Sequence, residues 1–156
     1  MKLLSSRFLF NYLFISLVFL VFACGGKKKD PKPAAAKLTS MSLALDGPKA
    51  KLDAVASFQE TNGIGSTHTA GNTVTISSFS VYNGTLTLEE TTGNAKTDAT
   101  AGYTITYQIT GVDATMSAAG DKPTLTTRDT GSGTLKITAT KNNTSHSVTF
   151  PLTVSN

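Results

Sequence analysis

One cysteine, no tryptophan and two histidines are all that 156 residues contain of these types. A lone cysteine excludes an internal disulfide, so any folded part must be held by core burial alone. No Cys-x-x-Cys or His-x-x-x-His spacing occurs, which removes the usual zinc ligand sets. Charge is scarce too, at 15% of residues, and the formal net charge of +4 is unevenly placed. Lys2 and Arg7 stand near the N-terminus, and Lys27, Lys28, Lys29, Lys32 and Lys37 face only Asp30 in residues 24–37. Residues 38–156 then hold 7 basic and 9 acidic side chains. The basic charge lies ahead of the main body of the chain, which has no basic stripe for nucleic acid. No stretch after residue 38 shows a 3.6-residue apolar period, so helices are not expected there.

The chain is richer in what favours export and strands. After Lys2 and Arg7, an apolar run from Phe8 to Phe22 is interrupted only by Asn11 and Ser16. That is about 15 residues, the length of a signal-peptide core and short of the ~20 that span a bilayer as a helix. The run closes in Val21-Phe22-Ala23-Cys24-Gly25. Ala23-Cys24 preceded by an apolar residue resembles the lipobox of bacterial lipoproteins, with Phe22 departing from the usual Ala or Ser. The looser box, small size and lysine-rich tether make it similar to small spirochaetal outer-membrane lipoproteins. The resemblance implies cleavage after Ala23, a diacylglyceryl group on the Cys24 sulfur, and acylation, such as palmitate, of the new amino terminus. The membrane lipid would then be the protein's partner, and the cell outer membrane its location. A thiolate suits that alkylation chemically, because it is a far better nucleophile than a serine hydroxyl.

Three segments follow: a signal peptide over 1–23, a lipidated cysteine with a Lys/Pro/Ala-rich tether over 24–37, and one domain over 38–156. The tether has Gly25-Gly26, Pro31, Pro33 and an Ala triplet, with no periodicity to pack. Its lysines suit either a soluble spacer or contact with anionic headgroups. Within 38–156, 26 of 119 residues are Thr and 12 are Ser, a β-rich composition.

Alternation of period two marks the expected strands. Met41, Leu43 and Leu45 form the first, turned by Asp46-Gly47-Pro48, and Leu52, Ala54, Ala56 and Phe58 the second. Residues 59–72 form a loop. Val74 and Ile76 begin a third strand that slips phase at Ser77-Ser78, as a bulge would, to place Phe79 and Val81 inward. Asn83-Gly84 is a hairpin signal leading to Leu86 and Leu88. Thr91 to Gly102 reads as a loop, followed by Tyr103, Ile105, Tyr107 and Ile109 on one strand face. Another loop to Pro123 precedes a short edge strand at Leu125. Leu135, Ile137 and Ala139 pair with Val148, Phe150, Leu152 and Val154 across Lys141 to Ser145, with Pro151 at an edge or bulge.

Seven or eight strands of this kind predict an all-β fold, an antiparallel β-sandwich, with a partly closed barrel as the alternative. Tyr107 to Gly111, Gly133 to Thr140 and Phe150 to Val154 also resemble bacterial immunoglobulin-like or cadherin-like modules. That resemblance implies an immunoglobulin-like sandwich.

Chemistry-bearing residues are dispersed. His68 and His146 read as separate surface residues, and Glu89-Glu90 as neighbours facing opposite sides of a strand. Asp113, Asp121 and Asp129 lie in or beside loops and are too sparse for a calcium site. Gly63-Ile64-Gly65-Ser66 lacks a following helix to cradle phosphate. Asn83-Gly84-Thr85, Asn142-Asn143-Thr144 and Asn143-Thr144-Ser145 read as turns. Tyr82 is the only tyrosine phased outward, too little for a sugar platform. No catalytic, cofactor or metal residues are expected. The chain reads as a lipid-anchored surface protein with an interaction or antigenic module and not as an enzyme. A periplasm-facing accessory lipoprotein of an envelope complex, or a carbohydrate-binding module, is the alternative.

Overall fold

The computed structural model describes residues 32–47, 54–60, 63–117 and 120–156. Cys24, the leader, Pro48 and Leu52 lie outside them. The described domain is all-β: two packed sheets, one of six strands and one of five.

The first sheet opens with β1 (Lys37–Asp46), whose partners are β2 (Ala54–Gln59) on one side and β5 (Val81–Thr92) on the other. β5 pairs in turn with β9 (Thr124–Thr127), which pairs with β8 (Ala114–Ser117). A hairpin partner, β6 (Ala95–Asp98), flanks the far end of β5. The second sheet is built on β11 (Thr144–Ser155), which pairs antiparallel with β10 (Gly131–Lys141). β10 pairs with β7 (Thr104–Thr110). Two short strands, β3 (Thr67–Thr69) and β4 (Val74–Ser77), lie parallel to β11 on its other side.

Apolar side chains from both inner faces fill the space between the sheets. Met41, Leu43, Leu86 and Leu88 come from the first, and Leu135, Ile137, Val148 and Phe150 from the second, all at most 2% exposed. Each deeply buried side chain of this kind contributes about 1.5–3 kcal/mol relative to exposure. Those positions are the alternating residues of the sequence, so the hydrophobic pattern sets which face of each strand turns inward. The β10–β11 hairpin forms as expected, with Leu135 opposite Phe150 and Ile137 opposite Val148, while Ala139 falls opposite His146. Its two-residue loop, Asn142-Asn143, has positive φ at both positions, as a type I′ turn requires.

Several sequence expectations need correction. There are eleven strands among the described residues, not seven or eight. Three lie inside stretches that read as loops: β3 in 59–72, β6 in 91–102 and β8 in 111–123. Each has four residues or fewer, too short for alternation to register. The strand at Leu125 is not an edge, because β9 sits between β5 and β8. Asn83-Gly84 makes no hairpin. Both residues lie within the unbroken β5, opposite Asp46 and Leu45. The glycine is needed there for another reason: a Cβ at 84 would meet Pro123 Cγ at 2.7 Å and its carbonyl oxygen at 2.8 Å.

Ser77-Ser78 marks a change of sheet and not a bulge, since β4 belongs to the second sheet and β5 to the first. The crossing reverses the phase that the sequence suggests. Phe79 and Val81 are 79% and 49% exposed, while Tyr82 is 1% exposed in the core. Pro151 also sits differently from expectation, on a central strand. β3 ends opposite Thr149 and β4 begins opposite Leu152. Pro151 falls in the gap between those two neighbours, where its missing N–H breaks no ladder.

Candidate functional site

At the end where β1 begins, the two sheets part around a cleft of about 580 Å³. Lys37 and Leu38 of β1, Glu90 of β5 and the Gly63–Gly65 segment line one part of it. Tyr103, Lys141 and His146 line another. A volume of this order suits a small polar molecule.

Glu90 is its chemical centre. The residue is only 9% exposed, and an isolated buried carboxylate would be costly. Two donors resolve this. Lys141 Nζ donates to Glu90 Oε1 at 2.7 Å and the Tyr103 hydroxyl donates to the same oxygen at 2.8 Å. The Lys141 ammonium also lies 5.2 Å from the Tyr103 ring centroid, within cation–π range. The Lys141 hydrogen bond, aided by Tyr103, holds the Glu90 carboxyl below its ordinary pKa against the opposing effect of burial. Burial, and then the hydrogen bond to Glu90, push the Tyr103 phenol well above its usual range. The result is a carboxylate whose ionised form is favoured by two donors, a phenol and an ammonium.

The two histidines, separate in sequence, meet at Gly65. Its N–H donates to His68 Nε2, and its carbonyl oxygen is 3.4 Å from His146 Nδ1. Accepting that hydrogen bond places the His68 ring proton on Nδ1. The 3.4 Å approach of Glu60 Oε2 to His68 Nε2 is then a contact between two acceptors, and that buried oxygen has no hydrogen-bond partner. His68 also packs on Phe58, with ring centroids 4.8 Å apart. The glycine-rich segment is no anion cradle, because the Ile64 N–H donates to Leu38 O at 2.6 Å and the Gly65 N–H to His68.

Glu89 and Glu90 face opposite sides, as their adjacency implies; Glu89 Oε2 is 3.7 Å from Lys96 Nζ on the exposed face. Asp113 reaches across to the segment after β9, and Asp129 serves its own loop. Asp113 lies 3.9 Å from Arg128, and Asp129 accepts from the Thr130 N–H at 2.7 Å. No group of three or more His, Cys, Asp or Glu side chains suited to a metal occurs among the described residues. The sequence reading missed the Glu90–Tyr103–Lys141 cluster. Its only signal was an acidic residue at an inward position of an alternating strand.

The opposite end carries a different feature. Phe79 has φ of +49°, a left-handed conformation unfavourable for a bulky residue. Buried polar groups hold it there. Thr127, 2% exposed, accepts from the Ser80 N–H at 3.0 Å and lies 2.7 Å from Ser77 O as donor. Ser80 Oγ donates to Ser78 O at 2.9 Å, and the Ser77 N–H donates to the Tyr82 hydroxyl at 2.7 Å. An exposed aromatic ring is thus projected from a tightly fixed turn.

No family model, curated protein or solved structure matches the chain. Among the described residues, no helix is long and apolar enough to cross a membrane.

Proposed function

We propose that this chain is a lipoprotein of the bacterial cell envelope, acylated on Cys24 and located at the outer membrane. Its sandwich acts there as a non-catalytic interaction or antigenic module. One observation supports the interaction reading above the others. β1 starts at the cleft end, opposite Thr91, and finishes at Asp46, opposite Asn83. The strained, exposed Phe79 lies just before the start of β5, at the end away from where the chain enters the domain. A module held by its N-terminus would present that ring outward, away from its anchor. Aromatic side chains on fixed backbone are the kind of group that anchors protein interfaces.

The sandwich is read as immunoglobulin-like. Neighbouring β5, β9 and β8, and neighbouring β7, β10 and β11, correspond to the B–E–D and C–F–G groupings of that fold. β1, beside the B-type β5, would then take the place of strand A, with β2 an addition outside it. Tyr82, the one tyrosine expected to face outward toward a sugar, is buried.

A Cys24→Ala variant followed through metabolic lipid labelling and detergent phase partition tests the anchoring. The expected result is loss of label and departure from the detergent phase; retained label rejects it. Protease added to intact cells tests the surface location, where removal of the domain with periplasmic markers spared is expected.

A further inference from the structure

The second sheet ends on one side at β7, with no strand paired to its outer edge among the described residues. Such an edge presents unpaired N–H and C=O groups, and proteins ordinarily shorten it, charge it or place proline on it. The shortest flanking strands follow that rule, whereas β2, at the edge of the first sheet, has six residues, Ala-Val-Ala-Ser-Phe-Gln, with no charge and no proline. β3 and β8 have three and four residues, and β6 has four with Lys96 and Asp98 among them. β7 does not: seven residues, Thr-Ile-Thr-Tyr-Gln-Ile-Thr, carry no charge and no proline.

That strand is also nearly a palindrome. An antiparallel pairing of two copies centred on Tyr107 sets Thr104 against Thr110, Ile105 against Ile109 and Thr106 against Gln108. Every opposed pair is then alike or compatible, and no like charges meet. A third observation lies on the same flank. Of the seven half-buried apolar residues packed around the core, all but Phe58 belong to β7, β8 or their flanking residues. Tyr107, Ile109 and Met116 are among those left half-covered there.

We propose that the β7 edge is a self-association surface: two copies of this chain pair antiparallel through β7 about a two-fold axis at Tyr107, continuing the second sheet across the dimer. The near-palindrome fits a second copy, because two-fold pairing sets Ile against Ile, Thr against Thr and Tyr107 against its own counterpart. One seven-residue edge supplies less contact than a standard protein interface, so the dimer forms weakly in dilute solution and is favoured where copies are concentrated.

Register-specific crosslinking tests this with the full-length protein. In the paired arrangement residue 106 faces residue 108 of the other copy at about 5 Å between Cα atoms, within disulfide reach. Residue 106 and its own copy are diagonal and too far apart. Thr106→Cys and Gln108→Cys chains, oxidised separately, should stay monomeric above the background set by Cys24. Mixed, they should form a disulfide-linked heterodimer. Thr85→Cys, exposed on an interior strand, should crosslink with neither. Equal crosslinking of the separate chains, or none in the mixture, overturns the proposal.

Sedimentation of the full chain adds an independent check. Thr106→Lys with Gln108→Lys, both at exposed positions, should weaken dimerisation at least tenfold while the β-sheet circular dichroism is unchanged. A dimer of undiminished strength, or an unsubstituted protein monomeric throughout, rejects the β7 edge.

Discussion

Lys141 Nζ and Glu90 Oε1 meet at 2.7 Å although the two residues belong to different sheets. With Tyr103, they form a polar rivet across the open end of the sandwich. Removing one partner leaves the carboxylate short of donors in a largely buried place. Lys141→Met should cost about 1–2 kcal/mol, less than a fully buried pair because the lysine is partly exposed. Tyr103→Phe should cost about 1 kcal/mol. Urea unfolding of the two single variants and the double variant measures both costs, and their coupling, directly.

The same group gives the domain an acid sensitivity of defined sign. Glu90 titrates below its ordinary value of 4.5 in the folded state. Its contribution is therefore fully present above that value and is lost as pH falls through the lower, folded-state value. Asp98, lowered by hydrogen bonds from Thr100, acts in the same direction. Unfolding free energy should thus decline on acidification below about pH 4.5, and Glu90→Gln should flatten that decline. An unchanged slope in Glu90→Gln would place the acid sensitivity elsewhere.

Phe79→Gly should raise the stability of the domain. A left-handed conformation costs a bulky residue about 1–2 kcal/mol, and glycine avoids it at a smaller entropic cost. Little packing is lost, because the ring is 79% exposed. A melting temperature a few degrees higher is expected, together with loss of any partner bound through this ring. A lowered melting temperature would mean that the ring packs where the structure shows it open.

Gly133→Ala should be damaging and Gly71→Ala harmless. A Cβ at 133 would lie 2.2 Å from Thr110 O, a backbone atom that cannot turn aside, whereas one at 71 meets nothing within 4 Å. About 2 kcal/mol or more separates the two in thermal unfolding.

The sequence was most legible where one strand stays within one sheet. Met41, Leu43 and Leu45, or Leu135, Ile137 and Ala139, alternate without interruption, and each group lies buried on one inner face. Legibility failed where the chain changes sheets. At Ser77 to Ser80 the inward direction reverses in space, so the alternation that pointed Phe79 inward and Tyr82 outward described the wrong side of the chain. Gly84 failed differently, because its small size answers to Pro123, thirty-nine positions away, and local turn chemistry cannot reveal that. The cleft was hidden for a similar reason. Glu90, Tyr103 and Lys141 reach one another only after strands from both sheets have been stacked. A lone inward carboxylate was visible, but its donors were not.

The strands nearest the two ends of the described chain, β1 and β11, each lie in the interior of a sheet. β3, β4 and β10 all pair with β11, the last twelve-residue strand before Asn156. None of these pairings can close while that segment is still being delivered. β11 is consequently the hub of the second sheet: β3 and β4 have no other neighbour in it, so neither has a place there until β11 is in position.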